Sequence, residues 1–256
     1  NRAHNIDVIG FHGQTIYHNA IQKISKQLGD GYLLSQLTKK EVIYNFRKKD
    51  LNNGGQGAPL TPIFHKILKK KFNLSQAIFI NIGGILNSTT IKKDGSLIAS
   101  DHGPGMCLLD EWIRKKTNIR YDKDGKIAST GKINKIIVDQ TFENFFDQEF
   151  KIKKTDKIPQ SFDIKDFNSS FIKGLSLEDG AATLVELTAK IIDDFIKKNP
   201  DLKISGKIYL CGGGRKNNFL LKRLKKNEKD IKLIDELGVN GDFIESQAFA
   251  YLAIRS

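Results

Sequence analysis

The chain has only two cysteines among its 256 residues, Cys107 and Cys211, and they lie far apart. With no Cys-x-x-Cys and no even framework of cysteines, a disulfide-stapled scaffold is excluded, and a reducing, cytoplasmic setting is the simplest expectation. The five histidines and two cysteines show no metal-ligand spacing, so no protein metal site is expected. Long apolar runs are missing too. "AIFINIGGIL" (77–86) is far too short and interrupted to span a bilayer, and no membrane partner is expected. No charged-then-apolar signal segment opens the chain. Arginine is the scarcest of the charged types: 42 Lys and Arg against 29 Asp and Glu give a net charge of +13, yet only seven are Arg. Such a charge asks for a polyanionic partner. Base reading and bidentate phosphate recognition favour arginine, however, and the lysines are scattered through nearly every segment. Nucleic acid is therefore not the expected partner, and the lysine excess reads as compositional bias.

What is present is a chain of 39% hydrophobic residues with 16 Phe, enough to bury a sizeable core in one large or two small domains. Strand-like and helix-like segments alternate, which argues for an α/β layer architecture. "NIDVIGFHGQTIYHN" reads as strand, glycine turn and strand; residues 33–46 combine a helix with the short strand "VIYNF". "NNGGQGAPLTP" is a loop punctuated by Gly and Pro, leading into a helix over about 62–71. The stretch from Ala77 to Asp101 supplies two or three strands with "KKDGS" as a hairpin signal, and a helix follows over about 105–117. Residues 132–156 look helical, followed by a loop through "PQSFD". The clearest helix starts at Ser176, whose spacing to Asp179 suits a capping box. Its apolar residues recur at Leu184, Leu187, Ile191 and Phe195, and Pro200 ends it. "KISGKIYLCGGGRKNNFLLKRL" reads strand, glycine-rich turn, helix, and a short apolar helix closes the chain. The chain opens on Asn1 rather than Met, with "DVIGFHGQT" almost at once, as a fragment entering mid-fold would.

Several segments carry chemistry, each with a plainer alternative. In "NIGGILNST" (81–89), Gly83 and Gly84 let backbone N–H groups approach an anion, with Asn81, Asn87 and Thr89 as neutral donors; an ordinary tight hairpin is the alternative. In "IYLCGGGRKNN", Gly212, Gly213 and Gly214 follow a strand and open a helix, the arrangement that presents free N–H groups to a nucleotide. It matches neither the dinucleotide fingerprint nor the Walker loop, and a crowded strand–helix crossing is the alternative. "GFHGQT" and "GGQGAPLTP" pair glycines with the imidazole of His12 and the amides of Gln14 and Gln56, groups that suit the hydroxyls and acetamido group of a sugar; for His12 a satisfied structural histidine is the alternative. Asp101 opens "DHGPGM" (101–106). It sits too early to cap the helix expected after Gly105, and a carboxylate held by a Gly-Pro-Gly turn can serve as general base toward a hydroxyl or water. Glu245 is either a site residue or the second member of an Asp242–Glu245 capping box.

Taken together and in order, "GFHGQTIYH", "GGQGAPLTP", "NIGGILNST", "DHGPGMCLLDEW", "YDKDGKIASTGKI", "LSLEDGAATLVELTA", "CGGGRKNN" and "IESQAFAYLA" resemble the anhydro-N-acetylmuramic acid kinases, within the sugar kinase and actin superfamily, over residues 7–254. The resemblance implies a two-lobed, actin-like sugar-kinase (ribonuclease H-like) fold with mixed sheets, its first lobe incomplete. Residues 1–75 plus 243–256 would be the remnant of that lobe and 76–242 the second. It implies ATP and Mg²⁺ as cofactors, an amino sugar as substrate, and room for a homodimer. Activity would consist of opening the 1,6-anhydro bridge and phosphorylating O6 in cell-wall recycling. Asp101 corresponds to the water-activating base and Glu245 to a residue that positions sugar or water. Sugar contacts would come from His12, Gly13, Gln14, Thr15, Gln56, Gly57, Ala58, Pro59, Gly103, Pro104 and Gly105. Nucleotide contacts would come from Asn81, Gly83, Gly84, Asn87, Gly212, Gly213, Gly214 and Asn217. The chain departs from the family at His102 and Met106, where Thr and Asn are usual, and in "PQSFDIKDF". The family's first phosphate hairpin is absent, which leaves a second reading open: a truncated, catalytically impaired relative that only binds sugar or nucleotide.

Overall fold

The computed structural model describes residues 6–145, 162, 164–199, 206–227 and 230–256. Much of "PQSFD", the second half of the 132–156 segment and the stop at Pro200 lie outside them. Contacts divide the chain into two compact units, Asn1–Leu68 with Asp242–Ser256, and Lys69–Gly241. The helix Pro62–Lys71 crosses the first boundary, so its last turn goes with the second unit, whereas the sequence reading keeps residues up to 75 in the first.

The second unit is built on a five-stranded mixed sheet in the order β7-β6-β5-β8-β9, with β5 Gln76–Ile82, β6 Ile85–Ile91, β7 Leu97–Pro104, β8 Gly206–Cys211 and β9 Ile231–Leu233. The first three form an antiparallel meander, and β8 and β9 add to β5 in parallel. Central strand β5 is buried almost throughout, hence its unbroken "AIFINI". Ile78, Ile80 and Ile82 pack with α4 (Cys107–Lys116) and α6 (Leu177–Lys197) in one core. Each such side chain contributes roughly 1.5–3 kcal/mol on burial.

Helix α6 forms as its pattern predicts: Ser176 accepts from the Asp179 amide, while Leu184, Leu187 and Ile191 are buried and Phe195 packs beside them. The same device starts α5 (Lys135–Asn144), where Asn134 accepts from the Ile137 amide. Trp112 of α4 donates to the Leu177 carbonyl, and a Cβ on Gly180 would lie 2.5 Å from its ring, so α4 and α6 meet at a glycine.

The first unit has a smaller core, Phe46, Leu60, Phe249 and Ala253, with Val8, Ile43 and Leu252 against it. Its strands are β1 (Val8–Gly10) parallel to β4 (Glu41–Ile43), and β2 (Gln14–Asn19) paired with β3 (Ile24–Leu28). Helices α1 (Gly31–Thr38), α2 (Phe46–Asn52) and α8 (Ile244–Ile254) complete it. Helix α2 corrects the sequence reading of "VIYNF": the strand stops at Ile43, Asn45 takes a left-handed φ of 60°, and a helix begins at Phe46. Asparagine tolerates that conformation, which lets a strand pattern break into a helix within three residues.

A second correction concerns "DHGPG". Asp101, Gly103 and Pro104 belong to β7 itself, and the turn falls later, at Gly105 and Met106. There the Gly105 and Cys107 amides donate to the Gly84 carbonyl and the Met106 amide to that of Gly83. A Cβ on Gly105 would stand 2.3 Å from the Gly83 carbonyl oxygen, while one on Gly174 would meet nothing within 4 Å. Gly105→Ala is therefore expected to destabilise the protein by about 2–3 kcal/mol. Gly174→Ala, a control of the same chemistry, should stay within about 0.5 kcal/mol of wild type in denaturant melts. Equal effects would contradict the packing.

Candidate functional site

The carboxyl ends of β5, β7 and β8 and the start of β6 lie at one end of the mixed sheet, because β6 alone of the four runs the other way. This end gathers the expected residues of the second unit: Asn81, Gly83, Gly84, Asn87, Asp101, Gly103, Pro104, Gly105 and Gly212–Gly214. Ligands in open α/β sheets bind outside strand carboxyl ends. Asn81 pairs across to Asn87, Asn87 to Asp101, and Asn81 on its other side to Cys211. Three polar side chains thus stand as cross-strand neighbours, each half-buried, Asn81 and Asn87 in strands that are otherwise largely buried. The ladder slips between Leu86 and Asn87, so His102 is the extra residue of a bulge on β7. Bulges re-aim side chains beside functional sites.

Asp101 is half-buried, and its Oδ2 accepts from the Phe162 amide at 3.0 Å. Burial pushes its carboxyl above the ordinary range, partly offset by that hydrogen bond. His102 is held elsewhere: its Nε2 lies 2.7 Å from Ser88 Oγ and its ring 4.2 Å from that of Phe195. Burial lowers its pKa to about 4, so it is neutral at pH 7. Met106 occupies the N-cap of α4 without a side-chain cap, is buried with the core, and leaves capping to the Gly83 and Gly84 carbonyls. Both departures from the family pattern thus have local structural partners.

The glycine-rich turn divides its labour. Gly212 has φ +77° and a Cβ there would lie 2.6 Å from Asn81 Oδ1, while a Cβ on Gly214 would collide with Ile82. Gly213 meets nothing within 4 Å and is exposed. Crowding therefore explains two glycines and not the third. Asn217 Oδ1 accepts from the Leu220 amide to start α7 (Asn218–Asn227), while its buried Nδ2 lacks a partner among the described residues. Sequence reasoning missed the clamp behind this turn. Arg215, 4% exposed, donates through Nε to Asp235 at 2.8 Å, through Nη2 to the other oxygen at 3.2 Å, and through Nη1 to the Gly212 carbonyl at 3.0 Å. Asp235 also accepts from the Gly241 amide.

In the first unit the two glycine loops meet at Arg47, which sequence reasoning also missed. Its Nε donates to His12 Nε2 at 2.8 Å and its Nη1 to the Gly57 carbonyl at 2.9 Å. His12 Nδ1 lies 2.8 Å from the Gly13 carbonyl, so Nδ1 carries the proton and both ring nitrogens are engaged. Burial and the Arg47 charge keep its pKa low, and its ring packs 4.2 Å from Phe249. Asp50 holds the second loop by accepting from the Gly57 amide at 2.7 Å; the Ala58–Pro59 peptide beyond it is cis. Gln14 and Thr15 lie on β2, where Thr15 Oγ1 accepts from Gln27, and Gln56 is exposed beside the buried Gly57. Glu245 is exposed in the first turn of α8, whose N-cap is Phe243, so it does not stand at the third helical position that a capping box needs. It contributes favourable charge to both His12 and Arg47.

The signal that could have found both arginines is their scarcity. In a chain that uses lysine almost everywhere, an arginine marks a place that needs a planar, multi-donor head.

A family model for anhydro-N-acetylmuramic acid kinase matches residues 1–256. The chain belongs to this family, and so to the carbohydrate kinases. Among similar proteins, the anhydro-N-acetylmuramic acid kinase of Pelagibacter ubique is 53% identical over 98% of this chain and 68% of its own length. That of Zymomonas mobilis is 40% identical over 98% and 66%, and that of Brucella canis 38% over 99% and 67%. The chain thus spans about two thirds of the length of these relatives. No helix among the described residues is long and apolar enough to cross a membrane.

The raised pKa of Asp101 has a consequence for stability. Its protonated form is favoured in the fold, so the stability it carries is complete below the unfolded value of about 3.9 and is lost as pH rises through the higher folded value. Asp101→Asn, neutral throughout and still able to accept from Phe162, is expected to melt above wild type at pH 7, with the gap closing at pH 3.5. A variant that melts lower at pH 7 would contradict this.

Proposed function

We propose that the protein phosphorylates 1,6-anhydro-N-acetylmuramic acid with ATP while opening the anhydro bridge, giving N-acetylmuramic acid 6-phosphate in the cytoplasmic recycling of cell-wall sugar. The observation that carries this reading is Asp101, a half-buried carboxylate at a bulged strand end beside the Gly83–Gly84 turn.

Asp101 takes a proton from a water whose oxygen bonds to C1 as the C1–O6 bond breaks. O6 then bonds to the γ-phosphorus as the bond from that phosphorus to the β,γ-bridging oxygen breaks, ADP leaves, and Asp101 releases its proton to solvent. A carboxylate with a pKa raised toward neutrality is a better matched base than an ordinary one. Glu245 positions sugar or water, with Gln14, Thr15 and Gln56 as neutral sugar contacts. His12 supports them through Arg47, since its own nitrogens are engaged. The Gly83–Gly84 turn would cradle phosphates and the Gly212–Gly214 turn the adenosine side. The exposed Gly213, which packing does not explain, and the unpartnered Asn217 Nδ2 both fit a nucleotide there.

For Mg²⁺ the donor set is sparse: no group of three His, Cys, Asp or Glu among the described residues could hold a metal. This suits Mg²⁺ carried in by ATP phosphates, since it binds proteins through one or two carboxylates and keeps several waters. When bound it would neutralise charge on the transferring phosphoryl group.

Protein incubated with ATP, Mg²⁺ and the anhydro sugar should form the 6-phosphate. Asp101→Asn should lower turnover by about 10²–10⁴-fold or more while sugar affinity stays within about tenfold, the pattern of a transition-state role. Near-wild-type turnover in that variant would overturn the base assignment; no product from wild type would overturn the activity.

A further inference from the structure

Arg47 is more than a brace between two loops. A guanidinium has five N–H donors. The bonds to His12 and Gly57 take one on Nε and one on Nη1, leaving three on the two terminal nitrogens without a partner among the described residues. No carboxylate there lies within ion-pair distance of it, although Glu245 acts on it electrostatically. The head is half-buried, and that burial draws its pKa below the ordinary arginine range. A desolvated arginine with unused terminal donors and no ion pair is suited to an anion, best of all a planar carboxylate taken two-pronged.

The neighbouring groups narrow the choice. Gln14, Thr15 and Gln56 offer neutral hydrogen bonding, and Asp50 is already committed to Gly57. The His12 proton sits on Nδ1, so Nε2 is left as a pure acceptor that fixes the Arg47 plane. His12 and Gly57 thus aim the guanidinium, and its remaining edge is the one positive, multi-donor feature of these loops among the described residues.

We infer that Arg47 is a specificity-determining residue that binds the carboxylate of the sugar acid's lactyl group. This rests on the substrate proposed above. A terminal phosphate of the nucleotide shares the anionic chemistry, and the test separates the two.

Affinities of the protein for three ligands are measured by calorimetry: the anhydro sugar acid, 1,6-anhydro-N-acetylglucosamine (which lacks the lactyl group), and ATP. Wild type should prefer the acid. Arg47→Gln, which also loosens the His12 and Gly57 loops, should weaken acid binding about 10–100-fold more than it weakens neutral-sugar binding, in line with a lost charged hydrogen-bond pair, and leave ATP within about twofold. Arg47→Lys, which keeps the charge but not the fork, should fall between them, and serves in place of Arg47→Gln if that variant does not fold. Equal weakening of both sugars would overturn the inference in favour of a purely bracing role. A loss confined to ATP would overturn it in favour of the phosphate. Wild type binding both sugars equally would overturn the inference alone, whereas wild type binding neither sugar would overturn the proposed substrate as well.

Discussion

The second unit depends on how closely two glycine turns approach. The Gly83 carbonyl accepts from the Met106 amide and the Gly84 carbonyl from Gly105 and Cys107, in a space that a single Cβ on Gly105 would fill. This contact satisfies the amides of the N-cap residue Met106 and of Cys107, the first residue of α4, and so fixes where the helix starts. It also ties the β5–β6 turn to the end of β7, the strand that bears Asp101. A carboxylate and a candidate phosphate turn are thereby held in a common frame by backbone alone, with no side chain free to relax. Sites set on rigid elements keep geometry that loops do not.

Polar placement follows one pattern in both units. Each has an arginine whose head is fixed by partners before any ligand arrives: Arg215 by Asp235 and Gly212, Arg47 by His12 and Gly57. The two differ in electrical balance. Arg215 is neutralised by its carboxylate and serves to shape the turn, whereas Arg47 has no ion pair among the described residues and feels only the more distant charge of Glu245. A buried charge paired with good geometry is structural in effect; one left unpaired marks a place where a ligand can complete it.

Much of the element order was legible in the sequence. Ser176 and the spacing of Leu184, Leu187 and Ile191 specify α6, and the unbroken apolar run of β5 marks a buried central strand. These are local signals, set by caps and periodicity. The misplaced turn at "DHGPG" shows their limit: Gly and Pro read as a turn, yet edge strand β7 tolerates Pro104 at its end and Gly103 in its bulged segment. Helix α2 was hidden because one left-handed asparagine, Asn45, turns a strand pattern into a helix start. Arg47 was missed because its meaning comes from His12, 35 residues away in sequence, and no spacing rule spans that distance.

The central claim is that Asp101 directs a water onto the sugar rather than onto the nucleotide. Turnover in ¹⁸O-water, with products analysed within minutes, tests it most directly. The account predicts one heavy oxygen on C1 of the phosphorylated sugar and none in the transferred phosphoryl group. Heavy oxygen in phosphate, with an unlabelled sugar, would contradict it.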